Sequence, residues 1–209
     1  MNPKNIRTKL LNDLQKRLSY LRNSMLPKKF DALGNYDDQT ILLTEAYILL
    51  VHAEIESYIE NVCLELIKHV ARQWANESKT SPTLFCLLAS YHHSWVEQEG
   101  GPKKAKDIKE AIQLATSQYL YIITSNHGIK RNDLKKIIIP TGVDYDNLDD
   151  SWINNMDAFG SDRGKIAHTS HKSRLNSSVN PKDFLEKSNS LLEGIKKFDQ
   201  EIIKLYLNS

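Results

Sequence analysis

A chain of 209 residues with 40% hydrophobic and 26% charged residues has the balance of a globular protein, able to bury one sizeable core or two small ones. Its formal net charge of +2 excludes a global electrostatic pull toward nucleic acid or membrane, so any such preference must come from local clustering. The opening "MNPKNIRTKLL" lacks the apolar stretch of a signal peptide, and "AYILLVHA" is too short to span a bilayer, which predicts a cytoplasmic protein without membrane attachment.

Eight Gly and six Pro are few breakers, and period-two alternation is hard to find, so the chain reads as nearly all helix. Ile6, Leu10, Leu14, Leu18 and Leu21 repeat at helical spacing and predict a helix from Asn5 to about Ser24, within residues 1–25, with Pro27 ending it. After the turn-like "DALGNYDD", one long central helix is expected over 38–76. Ser81 followed by Pro82 marks the start of a third helix reaching Tyr91. "EQEGGPKK" is a loop, Asp107 to Ser125 is helical, and Gly128 stands where a C-terminal glycine would stop it. "RNDLKKIIIPTG" predicts one short helix halted by Pro140 and Gly142. Asp150 to Phe159, a motif helix over 161–170, and an amphipathic helix over 182–207 complete the chain. Cys63 and Cys86 both sit in apolar segments and are expected to be buried free thiols of a reducing compartment. Neither a repeat nor a linker divides the sequence, which predicts a single domain over residues 1–209.

The central helix carries an unusual stripe. At 100° per residue, Glu45, Leu49, His52, Glu56, Ile59, Cys63 and Val70 fall within roughly a 60° arc. Residues 41 to 51 are apolar nearly all round, so this helix is expected to be covered on several sides, and ionisable groups on its buried stripe need partners. Two arrangements are open: His52 and Glu56 satisfy each other across one turn, or a carboxylate here receives an arginine from another helix. Glu54 lies on the opposite side and is expected to be solvated.

"SDRGKIAHTSH", residues 161 to 171, carries the chemistry. With Ser161 as N-cap, Arg163 falls in the first turn, where the helix dipole disfavours a cation. Gly164 costs about 1 kcal/mol relative to alanine inside a helix. Two local penalties side by side suggest selection for something other than helix stability. Arg163 and His168 are separated by about 7.5 Å along the axis and about 140° around it, so both reach one point only at an irregular helix end or in a groove wrapping the helix, such as a symmetric dimer would make. Arginine grips phosphate through a bidentate fork, and histidine moves protons near neutral pH. Together they suffice to cleave RNA: a base activates the 2′-hydroxyl, which attacks the adjacent phosphorus, with neither a protein nucleophile nor a cofactor. Lys165, His171, Lys172 and Arg174 surround the pair, with no acid between 163 and 174, as RNA-backbone recognition requires.

The bare spacing is weak, because seven arginines and seven histidines give an Arg-x4–6-His match by chance roughly 0.7 times. The context is more specific. "RGKIAHTS" resembles the signature helix of the HEPN superfamily, whose pattern ends in an apolar-Ala pair directly before His, here Ile166-Ala167-His168. "HAEIESYIE" on the long helix is similar to the family's preceding core helix, which often carries an acidic residue near the arginine. The resemblance implies an all-α helical bundle with a long central helix and loop or short-helix insertions. It implies a metal-independent RNase with Arg163 as phosphate binder and His168 as acid/base, supported by Glu56 and His52. It further implies a homodimer through the motif helices and, in toxin–antitoxin or phage-defence settings, an antitoxin or regulatory partner. Position 164 departs from the family, being glycine where many active members have Asn, Asp or His.

Other clusters have plainer readings. His168-x-x-His171 and His52-x-x-x-Glu56 lack a strong third ligand for a metal. His92 and His93 are expected to be solvated. In "NHGIKRNDLKK", Asn126 and His127 fit helix capping beside a solvated basic turn, with RNA-backbone contact as the alternative. Residues 141 to 162 hold six Asp and no Lys or Arg; Asp149 or Asp150 caps the helix that follows, and the others are available to a partner's basic patch. Trp152, Met156 and Phe159 are expected in the core. The rival to an RNase is a noncatalytic module that binds nucleotide, RNA or protein, with Arg163 and His168 in structural hydrogen bonds.

Overall fold

The computed structural model describes residues 8–91, 105–168 and 179–209. Within them the protein is helical and has no strand. The helices are α1 (Lys9–Met25), α2 (Asp38–Glu77), α3 (Pro82–Ser90), α4 (Ile108–Thr124), α5 (Arg131–Ile138), α6 (Asp150–His168) and α7 (Pro181–Leu207), with 3-10 turns at Ile139–Thr141 and Tyr145–Asn147. No described helix is long and apolar enough to cross a membrane.

The caps explain most boundaries. Thr8, Ser81 and Asp107 each accept a hydrogen bond from the amide three residues on, at Leu11, Leu84 and Glu110, satisfying donors a helix start leaves orphaned. Asp149 Oδ1 caps α6, accepting from Ser151 N at 2.9 Å and from Trp152 N at 3.4 Å. Gly142 adopts φ 85° after the Ile139–Thr141 turn, a left-handed conformation that favours glycine. Two expected boundaries are corrected. α4 already ends at Thr124, and Gly128 is not among the positive-φ glycines, so it does not terminate that helix. Ser161 is no N-cap, because α6 runs unbroken from Asp150 to His168.

The chain folds as two compact units, one built from residues 1–58, 128–131 and 148–199, the other from 59–127, 132–147 and 200–209. In the first, α1, the N-terminal half of α2, α6 and most of α7 share a core that includes Leu11, Ile48, Ile55, Met156 and Phe198. Trp152 stacks on Phe198 with ring centroids 6.0 Å apart, and Phe159 meets Phe184 edge-on at 6.4 Å. Gly194 sits under the Trp152 indole so closely that a Cβ there would lie 2.1 Å from Trp152 Cδ1. Asp199, fully buried, accepts from Tyr58 OH at 2.7 Å and from Thr8 N at 3.0 Å, so its lone pairs are met by donors drawn from α2 and the start of α1.

In the second unit α3 packs against α4 and the Ile139–Thr141 turn. Tyr119 donates to the Ile137 carbonyl at 2.8 Å. Asn126 Nδ2 donates to Glu60 Oε1 at 2.7 Å, so Asn126 ties its turn to α2 rather than capping α4. Both cysteines are free; Cys63 is buried and Cys86 half-buried, and burial pushes the Cys63 thiol up.

Candidate functional site

α2 and α6 position the residues singled out in the sequence. The apolar periodicity of α2 buries Val51, Ile55 and Ile59, and His52 goes in with them, its side chain 2% exposed. One turn on, Glu56 is half-buried, with Oε2 3.5 Å from His52 Nδ1. The two atoms lack the alignment of a hydrogen bond. Arg163 of α6 is half-buried and lies close enough for its charge to act on His52. Burial first, and the Arg163 charge second, push the His52 imidazole down to about 4. His52 is therefore neutral at pH 7, and its pairing with Glu56 is not an ion pair.

Glu45, on the same stripe, is buried at 4% exposure. Glu54 accepts from Arg17 Nε at 2.8 Å in an exposed pair between α2 and α1.

The continuous α6 changes the electrostatics read from sequence. Arg163 lies far from the N-terminus of α6, so the first-turn dipole penalty does not exist. Gly164 is inside a helix, and a Cβ built there would meet nothing within 4 Å. Its helix cost of about 1 kcal/mol therefore has no compensation in packing among the described residues. His168 is exposed at the last position of α6. The helix stays regular through it, so Arg163 and His168 keep their divergence of about 140°.

Lys165 is 77% exposed and lies 3.8 Å from Asp162 Oδ1. Asp162 Oδ2 also accepts from Lys187 of α7 at 2.8 Å. Lys187, which sequence reasoning missed because 24 residues separate it from Arg163, thus adds a second lysine beside the motif helix. His171, Lys172 and Arg174 lie outside the described residues, as do His92 and His93.

Five of the six aspartates of the acidic run have contacts within the chain. Asp144 accepts from Asn147 Nδ2 at 2.6 Å, Asp149 caps α6, Asp150 lies 3.7 Å from Arg131, Asp157 accepts from Arg131 N at 3.0 Å, and Asp162 holds its two lysines. Arg131 also donates to Asn154 at 2.7 Å, so this arginine of the basic turn is committed to α6. His127 is exposed.

The RiboL-PSP-HEPN family model matches residues 6–204. The chain belongs to the RiboL-PSP-HEPN family. No curated protein and no solved structure matches it.

The neutral state of His52 in this HEPN site has a measurable consequence. The unfolded chain protonates this imidazole near pH 6.5 and the folded chain only near pH 4. Between those values the unfolded state binds more protons, so stability falls as pH drops through this window and is unaffected by His52 above it. The full window corresponds to about 3 kcal/mol. Urea unfolding at pH 7, 5.5 and 4.5 should show this loss in the wild type and a flatter profile in His52→Gln. Parallel profiles for the two proteins would contradict the buried, neutral assignment.

Proposed function

We propose that this HEPN protein is a metal-independent endoribonuclease of the cytoplasm that needs no cofactor, with RNA as its substrate. Arg163 binds the scissile phosphate through its guanidinium fork and steadies the negative charge that grows on it. His168 takes the proton of the 2′-hydroxyl. The 2′-oxygen attacks phosphorus, the bond to the 5′-oxygen breaks, that oxygen takes up a proton, and the products end in a 2′,3′-cyclic phosphate and a 5′-hydroxyl.

The observation that carries this reading is the asymmetry of the two residues. Arg163 is half-buried beside the neutral His52, which removes a competing cation, while His168 is exposed and free to meet a substrate proton. Glu56 and His52 position Arg163 from α2. Lys165, His171, Lys172 and Arg174 contact the RNA backbone, joined by Lys187. The divergence of Arg163 and His168 around α6 is resolved in a homodimer through the motif helices, where a groove between two copies brings an arginine and a histidine to one phosphate. The open space at Gly164 allows that approach. A self-toxic RNase of this kind fits a toxin or phage-defence effector restrained by an antitoxin or regulatory partner.

The test is incubation of purified protein with tRNA, rRNA and mRNA in EDTA. Fragments with cyclic-phosphate ends are expected. Intact RNA in all three would favour the alternative, a noncatalytic HEPN module that binds nucleotide, RNA or protein, for which the same divergence of about 140° is the supporting observation.

A further inference from the structure

Helices α1, α2 and α7 of the first unit line a half-open cavity of about 280 Å³, polar and apolar in nearly equal parts, that shares no residue with the site above. Gln15, Ser19 and Arg22 of α1 line one side; the i, i+4, i+7 spacing puts them on a single helix face. Tyr47 of α2 and Ser188 of α7, both buried, hold their hydroxyl oxygens 2.7 Å apart at the opposite wall; Ser188 Oγ donates to the Leu185 carbonyl at 2.9 Å and accepts from Tyr47, so the pair offers a ligand acceptor lone pairs. Asn189 follows Ser188 along α7.

Arg22 is the unusual member. It is half-buried, and its charge acts on the Tyr47 hydroxyl. Yet no ion pair among the described residues involves it, whereas Arg17, five residues back, is held by Glu54 at 2.8 Å. A guanidinium turned toward a cavity with no carboxylate to meet it is poised for an anion from outside. The other groups narrow the choice. Hydroxyls and an amide suit a body carrying hydroxyls of its own, and Leu18, Leu185 and Leu192 supply apolar surface for its carbon skeleton. The volume lies at the lower edge of small-molecule sites, which start at about 300 Å³, so the ligand is of sugar-phosphate or sugar-acid size.

We infer that this cavity is a binding site for a small polyhydroxylated oxyanion, with Arg22 gripping the anionic group and the Tyr47–Ser188 pair and Asn189 meeting its hydroxyls. Because the site uses none of Arg163, His168, His52 or Glu56, it stands whether or not the chain cleaves RNA.

Calorimetric titration of the full chain with ribose 5-phosphate, gluconate and inorganic phosphate tests the inference. One of the two polyols is expected to bind with a Kd of about 1 mM or below, and which one wins identifies the anion as phosphate or carboxylate. Arg22→Gln, a change at a half-exposed position, should weaken that binding by about tenfold or more at unchanged helicity. Arg17→Gln on the same helix should leave it alone. Equal affinity in Arg22→Gln and wild type, no binding of either polyol up to about 10 mM, or inorganic phosphate binding as tightly as the polyols would each overturn it.

Discussion

His168→Ala is expected to slow RNA cleavage by about 10²–10⁴-fold, the usual contribution of a positioned acid/base, while leaving the fold as it is. The structural side follows from position. His168 is exposed at the last residue of α6, where a substitution typically changes stability by within about 0.5 kcal/mol. Cleavage rates at equal helicity therefore isolate chemistry from folding. Arg163→Ala should cut the rate as severely through loss of phosphate binding, but it also moves a second observable. Removing a cation that helps hold the neighbouring imidazole down should raise the His52 titration midpoint in an NMR pH series. A His168→Ala protein that cleaves at the wild-type rate, or one that unfolds, would remove His168 from the chemistry.

Gly194→Ala is expected to destabilise the protein by about 3 kcal/mol, although alanine in a helix interior normally gains about 1 kcal/mol over glycine. The new Cβ would sit 2.1 Å from Trp152 Cδ1 and 2.2 Å from Cγ. These are atoms at the root of the indole, so the ring cannot swing aside without leaving its stack on Phe198. Trp152 is itself buried, and truncating it to alanine alone should cost about 3–5 kcal/mol. In that truncated background the space is empty, and Gly194→Ala should become neutral or stabilising. Thermal or urea unfolding of the four proteins would then give a coupling of roughly 3–4 kcal/mol. Additive costs would show that glycine at 194 has no part in the approach of α7 to α6.

Most helices were legible in the sequence because local signals and packing agree. Ser81 before Pro82, Asp107 before Ile108 and the leucine spacing of α1 all point the same way as the observed boundaries. The break placed before Ser161 failed for an instructive reason. Gly160 followed by Ser161 looks like a stop and a new cap, but Gly160 is small because Lys130 packs there, with a built Cβ 3.1 Å from Lys130 Cγ. Glycine chosen for a tertiary contact is indistinguishable, in one dimension, from glycine chosen to end a helix. The same limit applies to the site. His52 and Glu56 stood out because a polar interruption of an apolar stripe asks for partners, and Arg163 because of the motif around it. Lys187 carries no such mark, and the cavity-facing residues of α1 look like any solvated face until α7 is folded over them.

The open surroundings of Gly164 also bear on what kind of selection shaped α6. None of the described residues would meet a methyl group at that position, and helix propensity alone would favour alanine there. Keeping glycine leaves the turn between Arg163 and His168 slightly too easy to unwind, in a stretch where every other cue favours helix. That softness is a cost of about 1 kcal/mol against alanine, carried at the turn that separates Arg163 from His168.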